Sequence, residues 1–147
     1  MDPATLRVTF MGSASFAVPS LDALVAAGCR VVQVVTRVDK PRGRGLEIAR
    51  TPVAERAAAL GLPVFQPRTL RTPEVLEALR AASPDLIVVA AYGRILPPEV
   101  LALPPHGCVN VHGSILPKYR GAAPVQWAVI RGEPETGVTL MRMDEGL

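Results

Sequence analysis

The sequence predicts an α/β fold, an open, twisted, mostly parallel sheet with helices on both faces. Three observations carry this prediction. Short apolar runs alternate with segments of helical periodicity along the whole chain, which is how a parallel sheet with crossover helices reads in one dimension. The run at 31–36 is continuous rather than alternating, as strands covered on both faces tend to be, and LIVVAA at 86–91 is the strongest apolar run of all. The helical segments carry their own boundaries, with Pro at the start or Gly at the end.

Taken in order, residues 6–11 form a short apolar strand ending at Gly12-Ser13, and SLDALVAAG after Pro19 has helical spacing closed by Gly28. The turn between them, MGSASF, holds a single Gly and is therefore not a G-x-G-x-x-G dinucleotide fingerprint. The second strand spans 31–36. After it comes RVDKPRGRGLEIARTP, with Gly43 and Gly45 among basic residues and no periodicity, which predicts an exposed, mobile loop. It lacks the Gly-Lys-Ser/Thr ending of a nucleotide P-loop. Pro52 opens a helix, VAERAAALG, that Gly61 stops. A short strand at 62–65 precedes a helix over 72–80, which starts with Thr72 as N-cap and Pro73 beside it. The strand at 86–91 runs into Tyr92-Gly93, and Pro97-Pro98 open a short helix through residue 103. A strand at 108–112 follows, then a Gly-containing loop, a helix over 124–131 ended by Gly132, and a strand-like run over 137–143.

At 147 residues and 49% apolar content, the chain has enough material for one domain with a real core. No apolar run reaches the roughly 18 residues that span a bilayer, and the opening MDPATLRVTF lacks the order of a signal peptide, so a cytoplasmic protein with no membrane partner is expected. Cys29 and Cys108 adjoin Val-rich runs and read as buried free thiols. The formal net charge is +3. Residues 37–50 alone hold five basic side chains (Arg37, Lys40, Arg42, Arg44, Arg50) against two acidic ones (Asp39, Glu47), so the excess is local. A local basic segment is a candidate polyanion contact, and equally a connection that its charges keep in water.

Asn110 and His112 stand two apart on the strand at 108–112, which places both on one face, roughly 7 Å apart along the chain. They sit where a strand gives way to a loop, the edge at which open α/β sheets bind ligands. An inert role as satisfied polar groups remains open from the pair alone. Its chemical use would be oxyanion stabilisation: an amide and an imidazole N–H aimed at one point suit the tetrahedral intermediate formed when a nucleophile adds to an acyl or formyl carbon. Cys108 shares their face at its buried end, which makes it a poor nucleophile, and His106 and His112 have no metal-spaced partners.

The run NVHGSILPKYRGAAPVQWAVIRGEPETGVTLMRMDEGL resembles the signature region of the formyltetrahydrofolate-dependent formyltransferase family. The likeness extends back through AYGRILP at 91–97, GLPVFQP at 61–67, the RGRG segment and the FMGSASFAVPSLDAL opening, so it covers essentially all 147 residues. It implies a Rossmann-like domain that moves the formyl group of 10-formyltetrahydrofolate, without a metal, to the amino group of the methionyl residue on initiator tRNA. By motif, Asn110 and His112 match the catalytic Asn and His, and Ser114, Ile115, Leu116 and Pro117 match a folate-contacting SLLP loop, with Ile for the usual Leu. The basic segment with Arg37, Lys40, Arg42 and Arg44 matches an insertion that contacts tRNA.

One departure matters. The family's catalytic Asp belongs to a Gly-Leu-Asp motif, whereas this sequence ends at Gly146-Leu147, and Asp144 matches only the preceding acidic position. The resemblance therefore implies residues 1–147 of a catalytic, folate-binding N-terminal domain, short of its end and without the C-terminal tRNA-binding domain, from an enzyme that is monomeric at full length. Within the family, enzymes acting on a purine precursor carry HPSLLP where this chain has HGSILP, and others act on sugar amines. RGRG with GAAPVQWA favours the tRNA branch. A non-catalytic folate- or RNA-binding fragment is the alternative from another class.

Overall fold

A computed structural model of the chain describes residues 2–42, 47–112 and 139–143. Its strands are β1 (Arg7–Gly12), β2 (Arg30–Val35), β3 (Lys40–Arg42), β4 (Glu47–Ala49), β5 (Val64–Phe65), β6 (Leu86–Ala90), β7 (Cys108–His112) and β8 (Thr139–Arg142). The helices are α1 (Val18–Ala26), α2 (Pro52–Ala59), α3 (Pro73–Ala81) and the short α4 (Pro98–Leu101). Six of these strands form one sheet in the order β5-β2-β1-β6-β7-β8. Counted along the chain this is 3-2-1-4-5-6, the doubly wound Rossmann arrangement, whose strand order reverses between β1 and β6. All pairs are parallel except β7 with β8.

The local signals act as expected. Thr72 caps α3 as expected, and Thr51, not among the expected caps, caps α2 in the same way, their hydroxyls accepting from the Val75 and Ala54 amides; Pro52 and Pro73 take the first helical positions. Gly28 and Gly61, both at positive φ, take the chain out of α1 and α2.

The two sheet faces bury separate clusters. On one, Val8, Phe10, Val34, Val88 and Val111 pack with Leu21 of α1 and with Val53 and Ala57 of α2. On the other, Met11, Val35, Ile87, Val89 and Cys108 pack with Leu79 of α3 and Val100 of α4. A shift in the β1–β2 register between Val8 and Thr9 leaves Val32 as an extra residue, which lets Val31 and Val34 point into the same cluster despite their odd spacing.

The segment after β2 differs from the expected loop. Lys40–Arg42 pairs antiparallel with Glu47–Ala49 as a separate two-stranded ribbon. Its exposure is as expected, with Ile48 70% accessible. The ribbon has only three residues per strand, too few for strand periodicity to show. The helix expected over 124–131 lies outside the described residues.

Candidate active site at the carboxyl edge of the sheet

The parallel strands all end on one edge, and the chain leaves β1 and β6 there through segments tied to one another. The Ser13 and Ala14 amides both donate to the Ala91 carbonyl, at 3.1 and 3.3 Å. Ser13 is buried and its hydroxyl is a junction: it donates to the Tyr92 carbonyl at 3.0 Å and accepts from the Arg37 amide at 3.1 Å. Thr36, fully buried, reaches both the Ser13 hydroxyl at 3.4 Å and the Thr51 hydroxyl at 2.6 Å. The ends of β1, β2 and β6 and the start of α2 are thus joined through three hydroxyls. The sequence carried a weak signal for this, Gly12-Ser13 directly after a strand, but no motif marked Ser13 as a junction.

Asn110 and His112 lie on β7, next to this switch point. Both are half-buried, and in register Asn110 faces Val89 of β6 and Met141 of β8, while His112 faces Thr139. Cys108 shares their face and is 1% exposed, its thiol directed at the Val100 and Leu101 carbonyls at 3.9 and 3.8 Å. Burial pushes this thiol up to about 11, which keeps it protonated near neutral pH, the inert state of a structural buried thiol. Among the described residues, no group of three or more His, Cys, Asp or Glu side chains is arranged to hold a metal ion. Ser114, Ile115, Leu116 and Pro117 lie outside the described residues.

The basic residues divide. Lys40 opens the ribbon and is exposed, Arg42 ends its first strand, and Arg44 lies outside the described residues. Arg37 stands at the ribbon's foot, and its side chain runs back across the sheet edge. A Cβ added at Gly93 would meet its Nη1 at 2.9 Å and its Cδ at 3.1 Å, so the absence of a side chain at Gly93 is what gives Arg37 its place. Burial raises the pKa of the neighbouring Tyr92 phenol, and the charges of Arg94 and Arg37 offset part of that rise. A cleft of about 340 Å³ opens beside them, lined by Ser13, Arg37, Lys40, Arg50 and Thr51. Three cations therefore face one cavity on the same sheet edge as Asn110 and His112, with β1 and β6 between the two.

Residues 6–147 match the family model described as formyl transferase. The chain belongs to the formyl transferase family. Within this family it is 59% identical over 143 residues to a methionyl-tRNA formyltransferase of Desulfotalea psychrophila, covering 97% of this chain and 44% of that protein. It is likewise 59% identical over 141 residues to the methionyl-tRNA formyltransferase of Myxococcus xanthus, covering 96% of this chain and 45% of the relative. The chain thus spans less than half the length of the curated relatives it matches. Among solved structures, the glycinamide ribonucleotide transformylase 1 of Geobacillus kaustophilus superimposes with a TM-score of 0.70 at 29% identity, over 97% of this chain and 76% of that one. The phosphoribosylglycinamide formyltransferase of Bacillus halodurans gives the same TM-score at 27% identity, over 95% and 73%. This formyl transferase fold is the Rossmann-like sheet described above.

Proposed function

We propose that this chain is the folate-binding, catalytic part of a cytoplasmic enzyme that transfers the formyl group of 10-formyltetrahydrofolate to the amino group of methionyl initiator tRNA, for translation initiation. The observation that carries this reading is the pair Asn110 and His112, half-buried on one face of β7 beside the switch point, in a formyl transferase chain whose 59% identical relatives are methionyl-tRNA formyltransferases. The carboxyl edge suits a folate chemically. Ile95, 78% exposed, and the neighbouring Arg94 follow β6, offering an apolar surface for an aromatic ring and a cation for a carboxylate. Ser114, Ile115, Leu116 and Pro117, which follow β7 in the chain, extend that contact.

The bound folate supplies the formyl carbon. The chain's own contribution is electrostatic: the Asn110 amide and a His112 ring N–H donate to the formyl oxygen as the attacking amine drives charge onto it. The imidazole takes up the proton that the amine sheds and returns it to the folate N10 as the bond between N10 and the formyl carbon breaks, so the tetrahedral intermediate collapses to formylated amine and tetrahydrofolate. On the other side of the switch point, Lys40, Arg42 and Arg44, with Arg37 at the foot of the ribbon, meet tRNA phosphates, a reading supported for Arg37 and Lys40 by the cleft they line together with Arg50.

The test is His112→Ala in this chain completed with the C-terminal part of a relative. An oxyanion donor acts in the transition state, so kcat falls by about 10²- to 10³-fold while the KM for folate changes little. Near-normal single-turnover chemistry with a raised KM would overturn the assignment. Tight folate binding without turnover in the unaltered protein would favour a non-catalytic binding role.

A further inference from the structure

Among the described residues, the basic ribbon makes no strand pairing with the main sheet. A lone two-stranded ribbon is marginal in water, so something at its foot has to set its direction. On the returning side, Thr51 does this as the cap of α2 and as a partner of Thr36. On the outgoing side the contacts converge on residues 37–39, immediately before Lys40. Here Gln66, half-buried just past the end of the edge strand β5, donates through Nε2 to the Arg37 carbonyl at 3.0 Å and to Asp39 Oδ1 at 2.8 Å. Both partners are acceptors, so only the NH₂ of the amide can face them, and both of its protons are used. The Arg37 amide is held from the other side by the Ser13 hydroxyl at 3.1 Å. Arg37 is thereby pinned through its N–H to the turn after β1 and through its C=O to the end of β5, while its guanidinium lies over Gly93.

We infer that Gln66 is a positioning residue that aims the ribbon's cations at the nucleic acid. The inference rests on reading the ribbon as the tRNA-binding element. Gln66 carries no charge and cannot neutralise a phosphate, and it lies across β2, β1 and β6 from Asn110 and His112. Its effect should therefore fall on the affinity for tRNA and on neither the chemistry nor the number of phosphates neutralised. This separates it from a residue that merely holds the domain together, whose removal would be felt everywhere.

The experiment uses this chain completed with the C-terminal part of a relative, and compares Gln66→Leu, Gln66→Glu, Asp39→Asn and Asp39→Ala. Gln66→Leu keeps the bulk and removes both donated bonds. The KM for tRNA should rise about tenfold, the scale that two ordinary hydrogen bonds can hold, with kcat and the KM for folate within about twofold of the parent. Gln66→Glu turns a carboxylate toward the Arg37 carbonyl and the Asp39 carboxylate and should raise the KM for tRNA further. Asp39→Asn keeps an acceptor oxygen and should stay near the parent, whereas Asp39→Ala should not. The salt dependence of tRNA binding should keep its slope in Gln66→Leu, because every phosphate-binding cation is still present. An unchanged KM for tRNA in Gln66→Leu would overturn the inference, as would a defect spread evenly over both KM values and kcat with a lowered melting temperature. An unaltered salt slope in Arg42→Ala/Arg44→Ala would instead remove the reading of the ribbon on which the inference stands.

Discussion

Gly12→Ala puts the closest approach at the switch point to the test. Gly12 ends β1 opposite Ala90 of β6, and a Cβ placed there would lie 2.7 Å from the Ala90 carbonyl oxygen, 2.8 Å from Phe10 Cε2 and 2.9 Å from Ala17 Cβ. Ordinary contact for such an atom begins at 3.4 Å. None of the three neighbours can give way cheaply: the oxygen is backbone at the end of β6, which has strands paired on both sides, and Phe10 and Ala17 are fully buried. Overpacking a core by one methyl typically costs about 1 to 3 kcal/mol, and a clash that includes rigid backbone belongs at the upper end. For a domain of this size each kcal/mol moves the melting temperature by about 2 to 4 °C, so a fall of roughly 6 to 12 °C is expected. Calorimetry of the parent and of Gly12→Ala, at matched concentration and pH, measures it. A melting temperature within about 1 °C of the parent would refute the reasoning, because it would mean that β1 and β6 have a methyl's width to spare.

Three further perturbations concern the basic ribbon and the two thiols. Replacing Arg42 and Arg44 together by Ala should lower the log-log salt slope of tRNA binding by about 0.7 to 0.9 for each phosphate no longer neutralised, with turnover of a minimal amine substrate barely changed; an unaltered slope means the ribbon is only solvated. For Cys108, the folded state holds the thiol proton up to about pH 11 while an ordinary thiol releases it near 9.0, so this group leaves stability unchanged below pH 9 and erodes it as pH climbs toward 11. Cys108→Ala should therefore lose less stability than the parent over that window in pH-dependent denaturant titrations; equal losses would place the Cys108 thiol in contact with water. Under native conditions a thiol reagent at pH 8 should modify the half-buried Cys29 well before Cys108.

The sequence by itself determined the identity and rough limits of the strands of the main sheet and of α1 to α4, because their signals are local. A Pro start, a Thr cap, a Gly stop and an uninterrupted apolar run act on the residues that carry them, and Pro52, Thr72-Pro73, Gly28 and Gly61 all take the roles their types dictate. The shared face of Asn110 and His112 was legible for the same reason, since a period of two is a property of any regular strand. Only the tertiary structure decided which strands are neighbours, that β8 runs antiparallel to β7, and that the basic segment pairs as a ribbon. It also decided that Ser13 joins β1, β2, β6 and α2, that Arg37 turns back over Gly93, and that Gln66 reaches residue 37, which is 29 positions earlier. Each of these is a contact between segments distant in the chain, and the composition and spacing of the residues that make it carry no trace of their partners. Their chemistry is supplied by whatever the folded sheet edge brings within hydrogen-bonding reach.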